Sequence, residues 1–369
     1  MYAIVHQPKI SAMQLCLLII ASRLAIMTVF LPIVGNHSNA KDAWISAAFS
    51  SIIALLITVM IVLLAKRHPN LSLIEICIYL LGSWGGRLIS LIYIGFYLQV
   101  SYLTVRQFSE IINNALMPET PIPFLNITLT VSVIFAVYRG LESIANVNTI
   151  VLPISLASII IILILLLKDV QFESLLPVLE EGMKPVIVGT IIPIVLYGET
   201  ILILVLSPYV KDQPKIMSYS LLANVISSIV LILLSIFVVG IFGANEANNL
   251  TLPVFSLARM VSVAHFLERI EAVMVAAWIS LLFMKAAIYL YAGVISFGQW
   301  LALKSYKALI IPLGVLMLIL SEESFENIAE IKHFLTPEHY SVYAFSIEIF
   351  IPMLLYFISI FKKRKNVDE

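Results

Sequence analysis

Six ionisable side chains stand inside long apolar runs: Arg23, Arg106, Glu110, Glu199, Lys285 and Glu348. A charge at mid-bilayer is expensive unless it faces protein, water or a ligand. Such residues serve as buried pairs, proton carriers or ligand contacts. Glu199 is the most informative. It follows Gly198 in Ile187–Pro208, an apolar run that also contains Pro193. Proline removes a backbone donor and clashes with the preceding turn, and glycine tolerates an unwound backbone. The combination predicts a discontinuous helix with a polar site at its break, against the plainer alternative of a kinked helix whose carboxylate pairs with a neighbour. A break exposes N–H groups suited to an anionic ligand group, and Glu199 is then expected to hold a cationic amine. Leu196, Tyr197, Gly198 and Glu199 are the expected lining.

The other charges have candidate partners. Arg106 and Glu110 are four apart, on one helix face, and read as a mutual pair. Tyr93, Tyr97 and Ser101 continue that face inward at steps of four, as helix packing or pocket lining. Arg23 needs a carboxylate, backbone carbonyls or water, and Met27-Thr28 follow it toward a break before Pro32. Lys285 has Glu199 or freed carbonyls of the first span within its options. Glu75 and Glu348 read as structural. No catalytic constellation, metal site or cofactor is expected. His6, His37, His68, His265, His333 and His339 have no metal-ligand spacing, no phosphate-binding glycine loop is present, and Cys16 and Cys77 lie in or beside apolar segments.

The elements that must position these residues are membrane helices. The chain is 61% hydrophobic and 12% charged, with mean hydropathy +1.04, whereas soluble domains carry about 25% charged residues. Zero formal charge argues against a nucleic-acid partner. Apolar runs predict ten spans, at about 11–33, 42–65, 89–117, 121–138, 146–168, 186–208, 216–243, 270–301, 306–321 and 341–361. The first is too long for a signal-peptide core and no small-residue cleavage site follows it. Pro253 to Val263 reads as a short interfacial helix.

Basic residues concentrate on alternate connections: Lys9, Lys66, Arg67, Arg87, Arg139, Lys211, Lys215, Lys304, Lys307 and the tail Lys362 to Lys365. The positive-inside rule then puts both termini in the cytoplasm. Ten spans divide into five and five, and an odd number per half turns the second half upside down. The expected fold is therefore an all-α integral membrane domain over 1–369, with inverted halves about 11–168 and 186–361 and spans one and six discontinuous.

Short patterns recur in order along the chain. They are Met13-Gln14-Leu15, Lys41-Asp42-Ala43-Trp44-Ile45, Leu116-Met117-Pro118-Glu119-Thr120-Pro121 and Arg139-Gly140-Leu141-Glu142-Ser143-Ile144-Ala145. Leu176-Pro177-Val178-Leu179, Tyr197-Gly198-Glu199 and Phe266-Leu267-Glu268-Arg269-Ile270-Glu271 follow. Through them the chain resembles, nearly end to end, the B subunits of spore germinant receptors, the endospore germination permeases. The resemblance implies the amino acid–polyamine–organocation superfamily, with its five-plus-five, LeuT-like fold. It implies a bacterial spore inner membrane, an A subunit and a lipoprotein C subunit as partners, and a small nutrient, often an amino acid, as ligand. The chain departs from the family at Ala25-Ile26-Met27-Thr28, where many members have glycines, and at Asn146, where arginine is frequent.

These readings converge on a sensing subunit that keeps a transporter fold. Its ligand site is expected to draw on Met27, Thr28, Tyr97, Ser101, Leu196, Tyr197, Gly198 and Glu199. The alternatives are a proton-coupled secondary transporter of an amino acid or similar solute, and a scaffold or conduit with a vestigial pocket. Sodium-coupled relatives of such a fold hold a cation between spans one and eight. Lys285 is expected to supply that positive charge in place of a metal, the alternative being a lysine that pairs with a carboxylate to offset its burial.

Overall fold

The computed structural model describes residues 9–27, 40–250, 252–261, 270–334 and 337–362, and no strand is present among them. The elements are α1 Ala12–Met27, α2 Ala43–Arg67, α3 Leu73–Ala115, α4 Ile122–Arg139, α5 Leu141–Leu166, α6 Met183–Tyr197 and α7 Leu202–Leu206. They continue with α8 Ile216–Asn249, α9 Pro253–Met260, α10 Ile270–Trp300, α11 Ile310–Glu323, α12 Ile328–Phe334, α13 Val342–Phe345 and α14 Ile351–Phe361. The last span, α13 to α14, is joined through a π-helical turn, Ser346–Phe350.

Eight of these segments are long and apolar enough to cross a membrane. The expected first and ninth spans are represented by shorter helices, α1 of 16 residues and α11 of 14. Residues 28–39, where the expected first span ends and its break would fall, lie outside the described residues; Thr28 and Pro32 are among them. At the other end of the chain, α11 reaches Ser321-Glu322-Glu323, where the Asn126 amide of α4 donates to the Glu322 carboxylate at 2.9 Å. Large apolar side chains such as Leu56, Trp84, Phe135, Ile164 and Phe361 remain exposed. In a membrane protein this is the surface that lipid covers.

Local sequence explains the main irregularities. Ser72 and Glu75 form a reciprocal capping box that starts α3, so Glu75 is structural, as expected. Helix therefore begins at Leu73, well ahead of position 89, and is broken at Gly82, whose φ of 81° is costly for any side chain. A second break, at Gly243, ends the long part of α8 near the expected boundary. The interfacial helix expected from Pro253 is α9; residues 262–269 lie outside the described residues.

α1 is apolar almost all round, and most of its side chains are buried, the pattern of a central helix. It packs against α5, α8 and α10, while α3 lies along α10 and α2 lies against α6 and α8. The lead into α1 is stitched to the chain after α7: Ile10 N–H donates to the Tyr209 carbonyl at 2.9 Å, and Lys211 N–H donates to the Ile10 carbonyl at 2.9 Å. The Ala12 N–H, at the start of α1, donates to the Asp212 carboxylate at 2.7 Å.

Candidate functional site

The sixth span is discontinuous. α6 contains Pro193 and ends at Tyr197, a 3-10 turn occupies Gly198–Ile201, and α7 resumes at Leu202. The interruption is a tightened turn and not an unwound stretch: Gly198 has φ −59° and ψ −21°. Its glycine is therefore required by space, not by dihedral freedom. A Cβ at Gly198 would lie 2.7 Å from Glu348 Cβ and 2.8 Å from Glu348 Oε2, closer than van der Waals contact allows. The last span presses its carboxylate directly against the break.

Three elements fasten the turn. Arg23 of α1, 1% exposed, donates to the Tyr197 carbonyl at 3.0 Å, to the Thr200 hydroxyl and to the Asn224 side-chain oxygen at 3.3 Å. Its guanidinium also lies 4.9 Å from the centre of the Tyr197 ring, within cation–π range. Of the partners arginine could take at this depth, the fold supplies the backbone carbonyl of Tyr197, at the end of α6. The neighbouring residue, Ser22, donates to Glu199 Oε2 at 2.5 Å. Lys285 of α10 donates to Glu199 Oε1 as a buried ion pair. Glu199 is thus held on both oxygens by groups from two different helices.

The phenol of Tyr197 reaches the other side, 3.3 Å from the Ser51 hydroxyl and 2.9 Å from that of Ser228. Ser228 gives its own proton to the Asn224 carbonyl at 2.7 Å. Asn224 Nδ2 donates to the Ser51 carbonyl at 3.3 Å. Asn224 and Ser228 were not among the residues singled out from sequence. Their signal was available, since two polar residues four apart in an apolar run mark one buried helix face.

The tyrosine face of α3 points the same way. Tyr97 is fully buried, with Tyr93 stacked beside it at 6.3 Å and Tyr289 of α10 at 6.1 Å between ring centres. The Tyr93 hydroxyl donates to the Ile347 carbonyl at 3.0 Å, in the π-helical turn. Ser101, one turn beyond Tyr97, spends its hydroxyl on the Ala286 carbonyl at 2.9 Å, beside Met317. Met27 is buried at the end of α1, and Leu196 in the last turn of α6. The face's charged end behaves as the spacing predicts: Arg106 and Glu110 pair at 2.8 Å, and Arg106 also caps the carbonyls of Glu322 and Glu326.

The buried centre therefore holds two cations, Arg23 and Lys285, and two carboxyl groups, Glu199 and Glu348. No group of three or more metal-ligating side chains occurs among the described residues. A cavity of about 310 Å³ lies elsewhere, between the end of α2 and Ser207, Gln213, Pro214 and Ile216. It touches none of the four charges.

A family model described as spore germination protein matches residues 9–327. The chain belongs to that family. Spore germination protein KB of Bacillus subtilis (strain 168) is 26% identical over 369 residues, covering 98% of this chain and 97% of its own. Spore germination protein YndE of the same organism is 26% identical, covering 96% and 98%. Spore germination protein XB of Bacillus anthracis is 25% identical, covering 92% and 94%. Among solved structures, MhsT in complex with L-phenylalanine superposes with a TM-score of 0.64 at 12% identity, over 96% of this chain and 99% of its own. Mhp1, a nucleobase-cation-symport-1 family transporter, gives 0.53 at 13%, over 90% and 75%. The chain thus has the LeuT-like transporter fold. Asn146 accepts from the Gln14 amide at its side-chain oxygen, at 2.7 Å.

Proposed function

We infer that this chain is the membrane subunit of a spore germinant receptor, and that it binds a small nutrient of the amino-acid class at the interrupted sixth span. The observation that carries this reading is the fastening of the turn at Gly198–Ile201. Arg23 binds the Tyr197 carbonyl while Ser22 and Lys285 bind the Glu199 carboxylate, so that α1 and α10 both hold this one short turn. A ligand that inserts there competes with these bonds, so its binding changes how the two helices sit against α6 and α7. That is a conversion of occupancy into movement, the step a sensor needs.

The site on this reading comprises Met27, Thr28, Tyr97, Ser101, Leu196, Tyr197, Gly198 and Glu199, with Lys285 as the resident positive charge between α1 and α10. The two halves, about 11–168 and 186–361, form one inverted-repeat domain with both termini cytoplasmic. On this reading the chain works in the spore inner membrane beside an A subunit and a lipoprotein C subunit. A second reading, proton-coupled transport of the same class of solute, is favoured by the fold it shares with MhsT and Mhp1.

Spores that carry Gly198→Leu in place of the wild-type residue test the site. Loss of nutrient-triggered germination at normal protein level is expected, and a wild-type response moves the site elsewhere. Purified protein in liposomes tests the second reading: solute accumulation driven by a pH gradient would replace pure sensing with transport.

A further inference from the structure

Glu348 is the carboxylate of the centre that the fastening network does not use. It is 0% exposed, and neither oxygen has a hydrogen-bond partner. Both oxygens of Glu199 are taken, one by Ser22 and one by Lys285. Buried polar groups in folded proteins are paired as a rule, and an orphaned one calls for an explanation. Glu348 is also aimed: its Oε2 lies 2.8 Å from where a Cβ on Gly198 would sit. The Tyr97 hydroxyl, fully buried on α3, is unpartnered as well; its ring stacks on that of Tyr93, whose hydroxyl donates to the carbonyl of Ile347, the residue before Glu348.

We propose that Glu348 and Tyr97 form the subsite that takes the ammonium group of the nutrient. This rests on the nutrient-binding reading above and reassigns the amine contact from Glu199 to Glu348. An alkylammonium group presents three N–H donors and no acceptor. Glu348 Oε1, Glu348 Oε2 and Tyr97 Oη are three buried acceptor atoms without partners, on the last span and on α3, which Tyr93 joins through the Ile347 carbonyl. A charge-assisted bond to a carboxylate is about twice as strong as a neutral one. Glu199 already has a donor on each oxygen, whereas Glu348 has none on either. Arg23 and Lys285, the two cations of the centre, are then the groups that meet the carboxylate end of an amino acid. The π-helical turn at Ser346–Phe350 is what lets the last span turn Glu348 inward at this level. Tyr93 pins that turn through the Ile347 carbonyl at 3.0 Å.

The test uses the full chain in lipid nanodiscs. Each common L-amino acid is screened in turn for thermal stabilisation, and each one that stabilises is compared with the same acid lacking its amino group. The wild type is expected to prefer the amino acid. Glu348→Gln is expected to weaken amino-acid binding at least about 30-fold while leaving the weak binding of the des-amino acid unchanged, so that the preference disappears. Tyr97→Phe, a smaller perturbation, should reduce the preference severalfold and provides the reading if Glu348→Gln does not fold. A structural role would depress both probes equally and overturns the proposal. An unchanged preference in both variants overturns it too and leaves the nutrient-binding reading standing, as does a change confined to the pH dependence of binding, which would make Glu348 a proton carrier only. Failure of every amino acid to stabilise the wild type removes the underlying reading itself.

Discussion

Arg23 donates to the carbonyl oxygen of Tyr197 at 3.0 Å, and the Thr200 hydroxyl donates to the same oxygen at 2.6 Å. The last carbonyl of α6 therefore has two side-chain donors where the helix changes pitch. A tightened turn in an apolar span is stable because its exposed acceptor is not left to lipid.

The Arg23 contact predicts an ordered series. Arg23→Met removes the donor to Tyr197, Thr200 and Asn224 together and should cost about 3–5 kcal/mol, the usual penalty for breaking a buried charged network. Arg23→Lys keeps the charge but not the fork, and should fall between the two. Melting temperatures in nanodiscs give the order directly; equal melting of all three proteins would mean the guanidinium fastens nothing.

Space at Gly198 predicts a steep size dependence. Gly198→Ala puts a methyl 2.7 Å from Glu348 Cβ, and overpacking of that kind costs about 1–3 kcal/mol. Gly198→Leu should cost more and abolish ligand response. Pairing Gly198→Ala with Glu348→Gly, which removes both the Cβ and the carboxylate that the new methyl would meet, should recover part of the loss, since the two changes share one contact. Additive losses in the double variant would place the obstruction elsewhere.

Lys285 and Glu199 predict non-additivity of another kind. Lys285→Met leaves a buried carboxylate with Ser22 as its one remaining donor and should destabilise by about 3–5 kcal/mol. Lys285→Met with Glu199→Gln should be more stable than Lys285→Met alone. If the lysine supplies the charge that other members of this fold take from sodium, ligand stabilisation of the wild type will not change between sodium and choline buffers. A clear sodium requirement would remove that role from Lys285.

The connection carrying α9 predicts a partner contact. α9 buries Pro253, Val254, Leu257 and Ala258 and leaves Arg259 and Met260 facing outward. Replacing Arg259-Met260 by Ser-Ser should leave folding intact and reduce recovery of the A and C subunits in affinity purification from spore membranes. Full recovery and normal germination would clear this surface of that role.

The helices were legible because each apolar run exceeds what a soluble core needs, and Arg106–Glu110 was legible because both partners share one helix. The turn at Gly198 was legible in place but not in form. Glycine beside proline reads as dihedral freedom, whereas the fold uses Gly198 to admit Glu348 from the far end of the chain. Arg23 could be matched to a class of partner, not to Tyr197, because that choice depends on which helices pack together. The place of Glu348 against Gly198 was not legible for the same reason. A lone carboxylate in a terminal span carries no local sign that a π-helical turn will direct it to the centre.

The stitch between Ile10 and the Tyr209–Lys211 backbone has a mechanical consequence. The chain ahead of Ile10 is covalently continuous with α1 and, through those two bonds, is tied to the strand of chain that leaves α7. Traction on it is shared by both central rods at the same end, so they travel together instead of shearing past one another. Further along, Arg23 couples the same two rods a second time. Two couplings at different heights make a lever with a fixed angle between its arms.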